Sequence, residues 1–405
     1  MNYAKQTNQN KMNKKTVRLK KGKEESLKRF HPWVFSGAIA SLSEPIEEGE
    51  TVRVCNNSGE FIAIGHFQLG SIAVRILSFE DIEIDNAYWR ARLSSALNMR
   101  IALGIAGSTE NNTYRLVHGE GDSLPGLVID IYDKTAVMQA HSIGMHLQKD
   151  AIAKALVEVM DNRIDSVYYK SETTLPFKVG DGLENGFIYG QCNDNIGVEN
   201  SLRFYVDWLK GQKTGFFIDQ RENRALLESY SKGKKVLNMF CYTGGFSVYA
   251  MRGGAELVHS VDSSAKAIEL TDKNISLNFP DDKRHAGFCE DAFKYLEKMD
   301  EKYNLIVLDP PAFAKHRMAL HNALKGYTRL NAKAMEKIDK GGILFTFSCS
   351  QAVSKENFRN AVFTAAAQAK RNVRILHQLH QPADHPVNIY HPEGEYLKGL
   401  VLYVE

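Results

Sequence analysis

The chain has 405 residues, 43% of them hydrophobic and 24% charged, and at roughly 150 residues per domain this predicts two or three globular domains rather than a disordered chain. Its longest apolar runs fall far short of the roughly 18 residues a membrane-spanning helix needs, and the first twenty residues are polar and lysine-rich without the apolar stretch of a secretory signal. Net charge is only +3, and the five cysteines (Cys55, Cys192, Cys241, Cys289, Cys349) are odd in number and free of any CxxC pair, so a disulfide framework and a cysteine zinc site are not expected and a cytoplasmic location is.

Charge is unevenly spread. Residues 1–30 hold ten Lys/Arg against Glu24 and Glu25, an excess of +8 that leaves −5 on the remainder. A disordered basic arm over 1–15 suits attraction to a phosphate backbone, and a solubilising tail equally well. Residues 16–80 are short alternating runs broken by glycines, which predict a small β-barrel-like module. Residues 81–197 read as an α+β unit with helices at 87–103 and 147–160 and strands at 114–118, 127–132, 135–141 and 166–170. Over 198–405 strands and helices alternate. Strands are expected at 235–240, 257–262, 304–309, 343–348, 373–377 and 399–404, with a weaker one at 285–289, and helices at 246–252, 264–277, 291–299, 328–338 and 355–370. That alternation predicts a doubly wound, mostly parallel α/β sheet whose ligands sit beyond the carboxyl ends of its strands.

Five places on those strand ends carry chemistry. The first strand holds Asn238 and Phe240 and runs into Cys241, Tyr242, Thr243, Gly244 and Gly245, then a helix. The two glycines let a ligand approach the helix N-terminus, and Asp262 at the end of the second strand can accept both hydroxyls of a ribose. The turn is not GxGxxG, so a nucleoside ligand without a pyrophosphate, such as S-adenosylmethionine, suits it better than a dinucleotide; a plain glycine turn with a solvated Asp is the bland alternative. Asp291, after the third strand, fits an adenine contact and a helix N-cap equally well. Asp309-Pro310-Pro311-Ala312-Phe313 follows the fourth strand, a rigid turn offering an acid, carbonyl acceptors and a stacking ring to a flat base. Cys349 ends the fifth strand beside that rim, where a thiolate would be a nucleophile and a buried thiol a mere packing residue. Upstream, Phe216 and Phe217 either cover a nucleoside, with Gln220 and Arg221 hydrogen-bonding it, or pack as a lid on the core. His377, His380, His385 and His391 lack the carboxylate or cysteine spacing of a metal site, so no metal is expected.

In order, HisProTrpValPheSerGlyAla (31–38), HisGlyGluGlyAspSerLeuProGlyLeu (118–127), GlyPhePheIleAspGlnArgGluAsnArg (215–224), AsnMetPheCysTyrThrGlyGlyPheSer (238–247), AspProProAlaPheAla (309–314), PheSerCysSerGln (347–351) and the closing AspHisPro and ProGluGlyGluTyrLeuLysGly make the chain resemble the bacterial ribosomal RNA large subunit methyltransferase I type, which forms 5-methylcytosine in 23S rRNA with S-adenosylmethionine. The resemblance implies an N-terminal RNA-binding PUA domain (16–80), a central α+β domain of the EEHEE kind (81–197) and a Rossmann-like methyltransferase domain (198–405). It implies a cofactor site at Phe217, Gln220, Arg221, Asn238, Phe240, the Cys241 to Gly245 turn, Asp262, Asp291 and Asp309. Cys349 would be the nucleophile, Asp309 its acidic partner, and Pro310, Pro311, Phe313 and Lys315 would meet the base. The implied partner is 23S rRNA, with no membrane and no metal, and a homodimer is allowed. Two departures stand out. Of the ExGxGxG of many class I methyltransferases only Gly244 remains, and where other RNA cytosine methyltransferases carry a second cysteine this chain has Pro311 and Ala312. The expected reaction is thus cytosine C5 methylation through a covalent cysteine adduct. Its rivals are N-methylation of an exocyclic amine, a non-catalytic RNA-binding assembly factor, and a nicotinamide-dependent dehydrogenase.

Overall fold

The computed structural model describes residues 14–175, 182–192, 194–314 and 316–405. Most of the basic arm (1–13) and Lys315 therefore lie outside the described residues. The chain forms two compact units, one made of residues up to 195 with 206–215 and 383–394, the other of 196–205, 216–382 and 395–405.

In the first unit, alternating apolar residues build a six-stranded sheet from β1 (Thr16–Leu19), β2 (Trp33–Phe35), β3 (Ile39–Leu42), β4 (Thr51–Cys55), β5 (Phe61–Phe67) and β6 (Ile72–Ser78), in the order β2-β6-β5-β4-β1-β3. Val17, Leu19, Val52, Val54, Val74 and Ile76, at every second position, form its core. Helix α1 (Asn86–Ala102), capped by the Asp85 side chain accepting from the Tyr88 amide, follows. The next elements are β7 (Thr113–His118), β8 (Leu127–Tyr132), β9 (Thr135–Ala140), α2 (Lys149–Met160), β10 (Ser166–Tyr169) and β11 (Gly186–Tyr189), with sheet order β11-β10-β9-β8-β7. With a short helix at Ile143–Leu147 just before α2, the succession from β8 to β11 is two strands, two helices and two strands. Sequence reading missed β11 because its four residues are only half-buried on the sheet edge and lack a clear alternation.

A buried polar network brings together motifs far apart in the chain. Arg100 grips Asp122 through two nitrogens, at 2.5 and 2.8 Å, and donates to the Asp384 carbonyl at 2.7 Å. The Asp384 carboxylate takes the Arg115 amide at 3.0 Å, and Arg115 in turn grips Asp130 at 2.8 and 2.9 Å. A Cβ on Gly121 would stand 2.0 Å from the Pro386 carbonyl oxygen, which explains glycine there. Trp33 Nε1 donates to Glu120 at 2.8 Å. The motifs at 31–38, 118–127 and 384–386 are therefore one structural cluster.

The second unit opens with a hairpin, β12 (Ile196–Glu199) and β13 (Leu202–Tyr205). Then come α3 (Arg221–Tyr230), β14 (Lys235–Met239), α4 (Gly245–Arg252), β15 (Leu257–Asp262), α5 (Ala265–Asn278), β16 (His285–Cys289), α6 (Ala292–Lys298), β17 (Leu305–Leu308), α7 (Leu320–Lys337), β18 (Gly342–Ser348), α8 (Lys355–Gln368), β19 (Val373–Leu379) and β20 (Lys398–Val404). The sheet order is β16-β15-β14-β17-β18-β20-β19. The first five strands are parallel, and β20 is antiparallel to both neighbours. Every residue of β17 and β18 is buried, as strands covered on both faces require. The order reverses between β14 and β17, the place where such sheets bind ligands. Helix α7 begins eight residues earlier than the periodicity predicts, because Gly326 masks its first turns. Among the described residues no helix is long and apolar enough to cross a membrane.

Burial pushes His66, in the first unit, and His285, in the second, down to about 4. The native state keeps both neutral while the unfolded chain protonates them near their ordinary value. Their contribution is complete above about pH 6.5 and is lost as pH falls toward 4, at roughly 1.4 kcal/mol per unit for each. The melting temperature should accordingly drop steeply between pH 6.5 and 4.5; a flat profile over that range would contradict it.

Candidate active site

After β14 the chain makes an unusual turn. Phe240, Tyr242 and Gly244 all have positive φ, at 58°, 49° and 76°. These are the three glycine positions of ExGxGxG. The left-handed backbone that glycine adopts freely is thus kept at two of these positions by side-chain-bearing residues, at a cost of roughly 1–2 kcal/mol for each. Helix α5 offsets the strain: Thr271 Oγ1 donates to the Tyr242 carbonyl at 3.0 Å and Asn274 Nδ2 to the Thr243 carbonyl at 2.8 Å. A Cβ on Gly244 would meet Thr271 Cγ2 at 2.5 Å, so glycine is needed there twice over.

Asp262 Oδ2 accepts the Tyr242 amide at 3.0 Å and its Oδ1 the Ser264 amide at 2.9 Å. A carboxylate offers about four lone-pair sites, so both oxygens keep capacity for ribose hydroxyls. Asn238 Nδ2 donates to Ser247 at 2.9 Å, tying β14 to α4. Asp291 is exposed and caps α6, accepting from the Phe293 and Lys294 amides at 3.1 and 3.0 Å. Burial pushes the Cys241 thiol up to about 12, which makes it a poor nucleophile.

The 216–221 segment is held from behind. Buried Arg224 pairs with buried Glu199 of β12 at 2.9 and 2.7 Å and donates its third nitrogen to the Phe217 carbonyl at 2.9 Å. Burial opposes its charge, but Glu199 outweighs that and raises the guanidinium above its ordinary value. Phe216 lies under the guanidinium, 4.8 Å from ring centroid, so this ring packs on the core. The Phe217 ring meets Tyr242 edge-on at 4.9 Å, beside the turn. Gln220 and Arg221 are both buried.

Asp309 and Cys349 end the adjacent strands β17 and β18. Gln220 Nε2 donates to Asp309 Oδ2 at 3.1 Å, and Asn223 Nδ2 fixes Gln220 through its Oε1 at 2.6 Å. Gln220, expected at the cofactor, is thus seen orienting the acid. Cys349 is half-buried between Ser348 and Ser350. Tyr327 of α7 bonds both serines, at 2.9 and 3.1 Å, and Ser350 Oγ accepts the Ala314 amide at 3.3 Å. The two strand-end segments are therefore stitched together. Pro310 is buried, Pro311 exposed, and the half-buried Phe313 ring lies 4.7 Å from Tyr327. His377 bonds Tyr230 and His380 the Gln381 carbonyl, in this unit, while His385 and His391 belong to the other. Sequence reading missed Glu199, Asn223, Thr271, Asn274, Tyr327 and Lys398. Asn223 and Lys398 lie in quoted motifs but carried no chemistry of their own, and Tyr327 sits in the helical turns that Gly326 masks.

Two substitutions test this architecture. Gly244→Ala should weaken S-adenosylmethionine binding at least tenfold by calorimetry and lower the melting temperature, since it adds both strain and a clash. Glu199→Gln leaves Arg224 buried with half its pairing and should cost about 3–5 kcal/mol in denaturant unfolding. Wild-type affinity in the first, or unchanged unfolding in the second, would overturn the corresponding role.

The donor set fits S-adenosylmethionine. A left-handed turn opens the first amides of α4, Asp262 has lone pairs for a ribose, and the Phe217–Tyr242 pair offers an aromatic wall. The family model described as S-adenosylmethionine-dependent methyltransferase matches residues 186–394, and a PUA-like domain model matches 17–79. A protein of Tolumonas auensis named ribosomal RNA large subunit methyltransferase I is 40% identical over 395 residues, covering 96% of this chain and 98% of its own. One of the same name from Alteromonas mediterranea is 38% identical over 394 residues, with 96% and 98% covered. A solved putative methyltransferase of Streptococcus mutans shares the fold, with TM-score 0.82, 23% identity, and 96% and 100% of the two chains covered. Another solved putative methyltransferase, complexed with SAH, gives TM-score 0.83 at 24% identity over 96% of this chain and 100% of its own. The cofactor is S-adenosylmethionine. The chain joins a PUA-like domain to a Rossmann-like methyltransferase domain and belongs to the ribosomal RNA large subunit methyltransferase I family.

Proposed function

We propose that this protein methylates carbon 5 of a cytosine in 23S rRNA through a covalent adduct on Cys349. The reading is supported by the Ser350 Oγ–Ala314 amide bond, with Tyr327 fixing Ser348 and Ser350, which holds the segment around Cys349 beside the turn that follows Asp309. The names of the relatives above support ribosomal RNA as the substrate, and the PUA-like module supports RNA binding.

Carbon 5 of cytosine is a weak nucleophile and needs covalent activation. The Cys349 thiolate adds to carbon 6, pushing an electron pair into the ring toward nitrogen 3. Asp309, protonated or sharing a proton and oriented by Gln220, hydrogen-bonds nitrogen 3 and stabilises that charge. S-adenosylmethionine supplies an electrophilic methyl group to carbon 5. Loss of the carbon 5 proton to a base then returns the electron pair, and the carbon–sulfur bond breaks to free the thiolate. Pro310 and Pro311 keep the acid's turn rigid, Phe313 offers a stacking ring, and the cofactor is held by the 240–245 turn and Asp262, with Arg221 and Asp291 as neighbours. Thiol and methyl approach the ring from different sides, so the target cytosine is single-stranded or flipped from its stack.

An amine-methylating enzyme is the second reading, favoured by the Asp309-Pro310-Pro311 turn, which also suits an exocyclic amino group. It needs no thiol. Unmodified 23S rRNA treated with wild type should yield 5-methylcytosine by nucleoside mass spectrometry. Cys349→Ala should yield none while still binding S-adenosylmethionine, and Asp309→Ala should lose roughly 10²–10³ in kcat. A different methylated nucleoside, or full activity in Cys349→Ala, would overturn the reading.

A further inference from the structure

Lys398 begins β20, opposite Ser348 in the β18–β20 register, and its side chain is only 6% exposed. Its Nζ donates to the Ser350 carbonyl at 2.6 Å, so the ammonium is fixed on the peptide segment that carries Cys349. Among the described residues no carboxylate pairs with it, and the nearby Glu395 carboxylate is taken up by Lys355. An ammonium is rarely buried on the strength of one carbonyl, because losing water costs more than one hydrogen bond returns. The site is therefore built for an anion that arises beside it.

We propose that Lys398 is the positioning residue for the nucleophile, its buried ammonium stabilising the Cys349 thiolate. The inference rests on the reading of Cys349 as the attacking group. The S–H bond breaks, its proton leaves to solvent, and Lys398 keeps all three of its protons throughout. The charged and titratable groups that act on the ammonium are Cys349 after β18, Glu395 just before β20 and Lys355 at the start of α8, while Tyr327 of α7 bonds the Ser350 hydroxyl on the same segment and His380, beyond β19, is turned to the Gln381 carbonyl. Burial brings Lys398 down to about 8 even though negative charge at Cys349 and Glu395 opposes the fall. The cation is thus present at neutral pH and lost in the alkaline range. A neighbouring cation lowers the pH at which a thiol ionises, and about one unit of lowering is a tenfold gain in thiolate near neutrality.

Iodoacetamide alkylation, followed at each cysteine by peptide mass spectrometry from pH 6 to 10, tests this directly. In the wild type, exposed Cys289 serves as internal reference, and Cys349 should inflect about one unit below it. Lys398→Met should move the Cys349 inflection up by about a unit and slow its alkylation at pH 7 about tenfold, with rates converging at high pH. Lys398→Arg should restore most of the shift. A wild-type Cys349 inflection at or above that of Cys289 would overturn the proposal without need of a variant, and so would an unchanged profile in a Lys398→Met protein that still binds S-adenosylmethionine. The alkylation profile reports on the thiol alone, and loss of product in Cys349→Ala reports on the nucleophile reading, so failure of one is told from failure of the other.

Discussion

The register of β17 on β18, with Leu308 opposite Thr346, decides where Asp309 and Cys349, the groups proposed to react, stand. It puts the Asp309 turn alongside the Ser348-Cys349-Ser350 segment. A slip of one residue would turn every side chain of the shorter strand to the other face and separate acid from thiol. Burial of both strands on both faces makes that slip prohibitively costly, since it would expose four apolar residues of β17 to wrong partners. Tyr327, reaching both serines from α7, fixes the β18 end, and the Ala314 amide bonded to Ser350 Oγ ties it to the segment after β17. The site is rigid because the sheet core is rigid.

A second constraint is the cofactor turn, where the chain departs from glycine yet keeps glycine's geometry. Phe240 and Tyr242 hold left-handed conformations that α5 must enforce through Thr271 and Asn274. Helix α5 thus stabilises a turn whose left-handed residues are not all glycine. The Glu199–Arg224 pair does the corresponding work for the 216–221 segment, gripping the Phe217 carbonyl from a buried position. Both devices sit behind residues proposed to hold the cofactor.

The central strands of the α/β sheet were legible from the sequence because buried parallel strands are continuous apolar runs, as β17 and β18 are; the half-exposed edge strand β16 was expected as a weaker one, and it and β15 fall on their expected limits. The candidate residues at strand ends were legible for the same reason: once strands are located, their carboxyl ends name Asp262, Asp309 and Cys349. Supporting residues were not. Glu199 and Arg224 are 25 positions apart and pair only through the fold, Tyr327 hides in helical turns interrupted by Gly326, and Lys398 reads as one more surface lysine until β20 is seen inserted beside β18. The edge strand β11 and the hairpin strands β12 and β13 escaped because half-buried four-residue strands carry too few alternations to be heard.

A covalent bond between Cys349 and cytosine can be caught by trapping it. RNA carrying 5-fluorocytosine at the target base has no carbon 5 proton to lose, so the adduct cannot resolve once methylated. With S-adenosylmethionine present, the account predicts a denaturation-resistant protein–RNA complex whose cross-linked peptide carries the nucleotide on Cys349. Methylation of the unfluorinated RNA without any such complex, or an adduct mapped to another residue, would contradict it.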